Sequence, residues 1–178
     1  KETDHAMKDE IERMIRVDQA GEFGATRIYG GQLAVMGDRA PNSGEIAAMA
    51  RQEDDHHDAF NALMAERGVR PTALHPVWSV AGYALGAATA LIGPKAAMAC
   101  TAAVETEIDL HYSRQLDRLE ETDEDPELRD MIERFREDER EHHDAAIAAG
   151  AEQAPAYPLL SAAIRLGCRA AIRLSERV

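Results

Sequence analysis

Two Glu-x-x-His elements, Glu53-x-x-His56 and Glu139-x-x-His142, stand 86 residues apart, each on an apolar row at helical spacing. The rows read Ile46, Met49, Glu53, His56, Phe60, Leu63 and Leu128, Ile132, Phe135, Glu139, His142, Ala146. Residues i and i+3 share a helix face, so both side chains of each pair point where core residues belong. A second kind of row precedes each of these and carries one principal acid. Ile11, Ile15, Asp18, Glu22, Ala25, Tyr29, Gln32, Met36 leads to the first pair, and Thr101, Glu105, Ile108, Tyr112, Leu116 to the second. Glu22 precedes Glu53 by 31 residues and Glu105 precedes Glu139 by 34, so one helix pair is written twice. A lone buried Glu is most often salt-bridged, and a single Glu-x-x-His occurs by chance in many helices. Four such rows are harder to dismiss, because an unpartnered buried carboxylate costs about several kcal/mol.

The rest of the chain punctuates these rows as helices. Arg39-Ala40-Pro41-Asn42-Ser43-Gly44 is a loop, Gly68 and Pro71 end the second row, and Thr122-Asp123-Glu124-Asp125-Pro126 caps the fourth, with Pro126 at a first-turn position. The chain has 33 alanines and only 4% aromatic residues, a balance that favours helix over sheet. The expectation is all-α, with six helices and no strands in a single domain spanning 1–178. Four bundle helices cover about 8–37, 44–67, 95–121 and 126–149; extra helices cover about 77–92 and 159–175. Between Val77 and Val104 the only charge is Lys95, but Gly82, Gly86 and Gly93-Pro94 divide a stretch that would otherwise suggest a membrane span.

A Glu from each of two helices plus Glu-x-x-His from each of two others is the ligand pattern of ferritin-like bundles that hold two metals. The expected ligands are Glu22, Glu53, His56, Glu105, Glu139 and His142. Carboxylates are hard anionic donors able to bridge two ions, one imidazole per ion adds a nitrogen, and four carboxylates offset the charge of two divalent cations. Iron suits such a set best, with manganese second, while zinc is redox-silent.

His57 and His143 follow ligand histidines and point about 100° away, as solvent or supporting groups. Asp138 either accepts a ring N–H from a ligand histidine or forms a plain helix salt bridge. Tyr29 and Tyr112 each stand seven residues after a ligand Glu, as core tyrosines or as parts of a relay or substrate channel; the adjacent His111 reads as a supporting or surface group.

A net charge of −13 excludes nucleic acid as a good partner. Cys100 and Cys168 make no metal or disulfide spacing, which suits a reducing compartment. GYALG follows no strand and lacks the dinucleotide spacing, so no built-in nucleotide domain is expected. Lys1-Glu2-Thr3-Asp4 is not a signal peptide, and an opening on Lys suggests a trimmed leader or initiating Met. Arg165, Arg169, Arg173 and Arg177 form a basic row beside Leu159, Leu160, Ile164, Leu166, Ile172 and Leu174, as on an interfacial helix. Trp78 and Tyr83 would anchor a second membrane-facing segment, 77–92. An ordinary amphipathic helix docked on the bundle is the alternative for 159–175.

Several stretches resemble the demethoxyubiquinone hydroxylases of ubiquinone biosynthesis. They are VDQAGEFGATRIYGGQ around Glu22, QEDDHHDAFN around Glu53, ALGAATALIGPKAAMACTAAVE before Glu105, EREHHD around His142, and the ending APAYPLL…GCRAAIRLSERV. Arg140 separates Glu139 from Glu141, a departure that alters no ligand position. The resemblance implies a ferritin-like fold with two iron ions on the six residues named above. It implies a monooxygenase that places one oxygen atom of O2 on the ring of demethoxyubiquinone or its quinol, the other leaving as water. Tyr112 matches a position linked to electron transfer from NADH through the quinone to the irons. The family is peripheral to the membrane holding the quinone and in mitochondria works with a lipid-binding partner protein. A homo-oligomer is compatible with this reading. The composition favours the cytoplasmic face of a bacterial inner membrane, with the matrix face of the mitochondrial inner membrane as the alternative. The competing function is a ferritin-like protein that oxidises iron or scavenges peroxide.

Overall fold

The computed structural model describes residues 1–178 and contains no strand. Six helices follow in order: α1 (Glu2–Met36), α2 (Ser43–Arg67), α3 (His75–Ile92), α4 (Pro94–Thr122), α5 (Pro126–Ala148) and α6 (Tyr157–Arg177). A 3-10 turn, Ala151–Gln153, precedes α6. The all-α expectation holds. The first helix starts at Glu2 rather than near residue 8, and α6 extends two residues beyond the expected range at each end.

The chain divides into two compact units, Lys1–Leu91 with Ala170–Val178, and Ile92–Arg169. In the first, α1 packs on α2. Ile15, Ile46 and Phe60 are fully buried there. α3 approaches α1 backbone to backbone. A methyl group at Gly86 would fall on the Ile28 carbonyl, and one at Gly31 on the Tyr83 carbonyl. Gly82 and Gly86 therefore lie inside one continuous helix, and the break falls at Gly93, where φ is 152°. The Arg27 side chain spans the same contact, donating from Nε to the Ser79 carbonyl at 3.0 Å and lying over the Tyr83 ring.

In the second unit α4 packs on α5. Leu116, Leu119, Leu128 and Ile132 are buried. The turn between the helices is set locally. Asp123 ends α4 in the left-handed region, and the Asp125 carboxylate accepts from the Leu128 N–H at 3.0 Å, with Pro126 in the first turn. From Ala96 to Glu105 every residue of α4 is buried. A helix buried all round needs small side chains, and Ala96, Ala97, Ala99, Ala102 and Ala103 supply them.

Candidate metal centre

Each unit builds one cluster of two Glu and one His. In the first, α1 contributes Glu22 and α2 contributes Glu53 and His56. The three are at most 2% exposed, and their ligand atoms lie within 4.8 Å of one another. His56 Nδ1 faces both acids, 3.4 Å from Glu22 and 3.6 Å from Glu53. In the second, α4 contributes Glu105 and α5 contributes Glu139 and His142, again within 4.8 Å of one another and buried. His142 Nδ1 faces Glu105 at 3.6 Å and Glu139 at 3.1 Å. The repeat in the sequence is thus a repeat in space, with the same ring nitrogen turned to the same two acids.

Burial, then the charge of Glu53 and a hydrogen bond with it, push the Glu22 carboxyl well above the usual carboxylate range, although His56 pulls the other way. Burial also disfavours a charged His56, but hydrogen bonds to Glu22 and Glu53 and their charges outweigh it and raise the ring to about 11. Two carboxylates face one base, so the cluster has more acid than base. A divalent cation would balance two carboxylates outright. The ring-to-carboxylate distances of 3.1–3.6 Å lie within twice a metal–ligand bond of ~2.1 Å, so the donor set fits a first-row metal.

The neighbouring groups sort differently from one another. His57 is half-buried, and its Nε2 accepts from the side-chain amides of Gln19 at 3.2 Å and Asn61 at 3.4 Å. Burial lowers its pKa. Phe23, next to Glu22, stacks on His75 with ring centroids 3.7 Å apart. His143 is half-buried and pairs with Asp144, and Asp138 is half-buried on α5. His111 is buried, and its Nε2 accepts from Gln115 Nε2 at 2.9 Å. Tyr29 and Tyr112 are each 2% exposed, two turns from Glu22 and Glu105 along their helices.

One buried acid escaped the sequence reading. Glu107, 1% exposed, accepts a hydrogen bond from Arg165 Nε at 2.8 Å and forms an ion pair with Arg169 Nε at 3.2 Å. Two members of the basic row on α6 are therefore engaged with α4. The visible hint was an acid two residues beyond Glu105 in a stretch otherwise nearly free of charge.

Residues 9–175 match the family of the ubiquinone biosynthesis protein COQ7. The chain belongs to the COQ7 family. Among COQ7-type relatives, the 3-demethoxyubiquinol 3-hydroxylase of Rhodospirillum rubrum is 55% identical over 168 residues, which cover 94% of this chain and 78% of that protein. The mitochondrial NADPH-dependent 3-demethoxyubiquinone 3-hydroxylase of Homo sapiens is 50% identical over 177 residues, 98% of this chain and 81% of that protein. The mitochondrial 5-demethoxyubiquinone hydroxylase of Saccharomyces cerevisiae is 44% identical over 182 aligned positions, 94% of this chain and 78% of that protein. These COQ7 relatives are named as hydroxylases, and two of the names place them in mitochondria.

Proposed function

We propose that this chain is a monooxygenase that hydroxylates the ring of demethoxyubiquinol or demethoxyubiquinone in ubiquinone biosynthesis. The observation that carries it is the doubled cluster of two buried Glu and one buried His, in a chain up to 55% identical to hydroxylases of that ring. The two clusters are read as the two halves of one dinuclear iron centre, and the two compact units as one ferritin-like domain. Glu22, Glu53 and His56 hold one half, and Glu105, Glu139 and His142 the other. Two bound iron ions would supply redox equivalents for dioxygen cleavage.

The overall change is a ring C–H plus O2, two electrons and two protons giving a ring C–OH and water. The electrons come from a reduced nicotinamide; the human relative is named as NADPH-dependent, where the sequence reading points to NADH. The chain's own part is to hold four carboxylates against their mutual repulsion, with burial keeping bulk water from the reacting atoms. Tyr112, buried on the Glu105 side of α4, is the proposed relay residue.

No helix is long and apolar enough to cross a membrane. Peripheral contact rests on the exposed apolar residues Val77, Val80 and Leu91 of α3 and Leu159, Leu166 and Leu174 of α6. A bacterial inner membrane's cytoplasmic face is the favoured setting, and a lipid-binding partner protein and self-association belong to the same proposal.

The test is a single turnover of the iron-loaded protein with a short-tailed demethoxyubiquinol and O2, followed by mass spectrometry of the quinone. A product heavier by one oxygen is expected. Rapid iron oxidation with unmodified quinone would favour the ferritin-like reading instead.

A further inference from the structure

α6 is a 21-residue helix of which only Ile164 and Ser175 are buried. Leu159, Leu166 and Leu174 are 74%, 65% and 48% exposed, while Leu160, Cys168 and Ile172 are half-buried beside Ile164. Within the second unit its attachment to α4 is ionic: Arg165 Nε and Arg169 Nε both lie on one oxygen of Glu107, at 2.8 and 3.2 Å. The other oxygen, Oε2, is buried with no hydrogen-bond partner. Glu107 itself is 1% exposed, whereas the two arginine side chains are 36% and 47% exposed. The acid is sealed and the bases are open to an outside competitor. At its far end, within the first unit, α6 is held by a neutral bond from Trp78 Nε1 to Ser175 Oγ at 2.8 Å.

In ordinary docking of an amphipathic helix the arginines face water and few large apolar side chains do. Here two arginines are turned to an internal anion while leucines face out. Arg173 and Arg177 are exposed and continue the same row. An anionic lipid surface matches both features, offering phosphates for the guanidinium groups and an acyl boundary for the leucines.

We propose that Glu107 is an internal competitor for anionic lipid: Arg165 and Arg169 rest on Glu107 in the free protein and transfer to lipid phosphates when α6 meets a bilayer. The inference rests on the membrane contact advanced under Proposed function and adds the residue that restrains it. Glu107 then sets how strongly the chain prefers charged bilayers. Removing its charge frees two bases without removing them.

The experiment is flotation of the iron-loaded full chain with vesicles of phosphatidylcholine alone or with one third phosphatidylglycerol. The variants are Glu107→Gln and the double variant Arg165→Gln/Arg169→Gln, each checked for an unchanged helical circular dichroism spectrum. Glu107→Gln is expected to bind the anionic vesicles at least about fivefold more tightly than the parent, one basic residue's worth of attraction. Its binding to neutral vesicles stays unchanged, and the double variant binds anionic vesicles more weakly than Glu107→Gln. Equal binding of parent and Glu107→Gln to anionic vesicles overturns the exchange and leaves the membrane reading standing. Tighter binding of both variants to both vesicle types overturns it too, because loosening the helix and exposing its inward apolar row would then explain everything. Binding by no form overturns the exchange and the membrane reading together.

Discussion

The six expected ligands differ from ordinary buried acids in the company they keep. Each histidine nitrogen is within hydrogen-bonding or ion-pair reach of two carboxylates, and each carboxylate belongs to a cluster with more acid than base. Glu139→Ala should therefore lower bound iron below two per chain and reduce hydroxylation at least about 100-fold, more than the loss of a group that merely supports a ligand. Metal analysis and single-turnover product yield check the two parts separately. Cys168 gives a second residue-scale expectation. Burial, then the charges of Glu107 and Glu105, push its thiol up to about 12. At pH 8 it carries about a thousand times less thiolate than an ordinary cysteine, and alkylation by iodoacetamide, followed by peptide mass spectrometry, should be slower by about that factor. The ligands were legible because they sit where the helical period demands an apolar residue. Glu107 was not, because its two arginines lie 58 and 62 positions along the chain and no periodicity links them.

At the level of elements, the boundaries follow from local chemistry where there is some. The segment 122–126 announced the start of α5, and the structure puts the cap at Asp125. The start of α1 was hidden, since residues 2–10 are almost entirely polar and mostly exposed and offer no apolar row to count. The glycines of α3 carried a signal that was misassigned: they divide no helix but let α3 reach the α1 backbone. Gly86→Ala should consequently destabilise the protein by about 1–3 kcal/mol or more, as overpacking does, read from the urea midpoint. Gly167→Ala on α6, where an added methyl group meets nothing within 4 Å, is the matched control and should stabilise the helix by about 0.5–1 kcal/mol. Asp125→Ala removes the cap bond to the Leu128 N–H and should cost about 1 kcal/mol in the same assay.

Across the molecule, charge ties folding to metal. The chain carries −13 overall and buries four of its carboxylates in the two clusters. A ligand that binds the folded chain and not the unfolded one raises stability by mass action. Ferrous iron under anaerobic conditions, or manganese, should raise the calorimetric Tm by several degrees, and a chelator should reverse it; about 2.7 kcal/mol is expected at a hundredfold excess over Kd. The number and class of helices were readable because the ligand-bearing rows keep a helical period and Gly and Pro punctuate the chain between elements. The division into two compact units was not, because it depends on which helices touch, a fact with no local trace in the sequence.

The alanine segment of α4 has a consequence for how this protein can vary. Between Ala96 and Ala103 most side chains are one methyl group, and all are buried. Nearly every substitution there adds volume, and there is no surrounding surface to receive it. Natural drift through this stretch is confined to subtraction, while inherited changes that enlarge it act by lowering the amount of folded protein and leave the chemistry of the surviving molecules intact. An enlarging variant in the segment should therefore show reduced soluble protein with unchanged turnover per bound iron, read from yield and from single-turnover product.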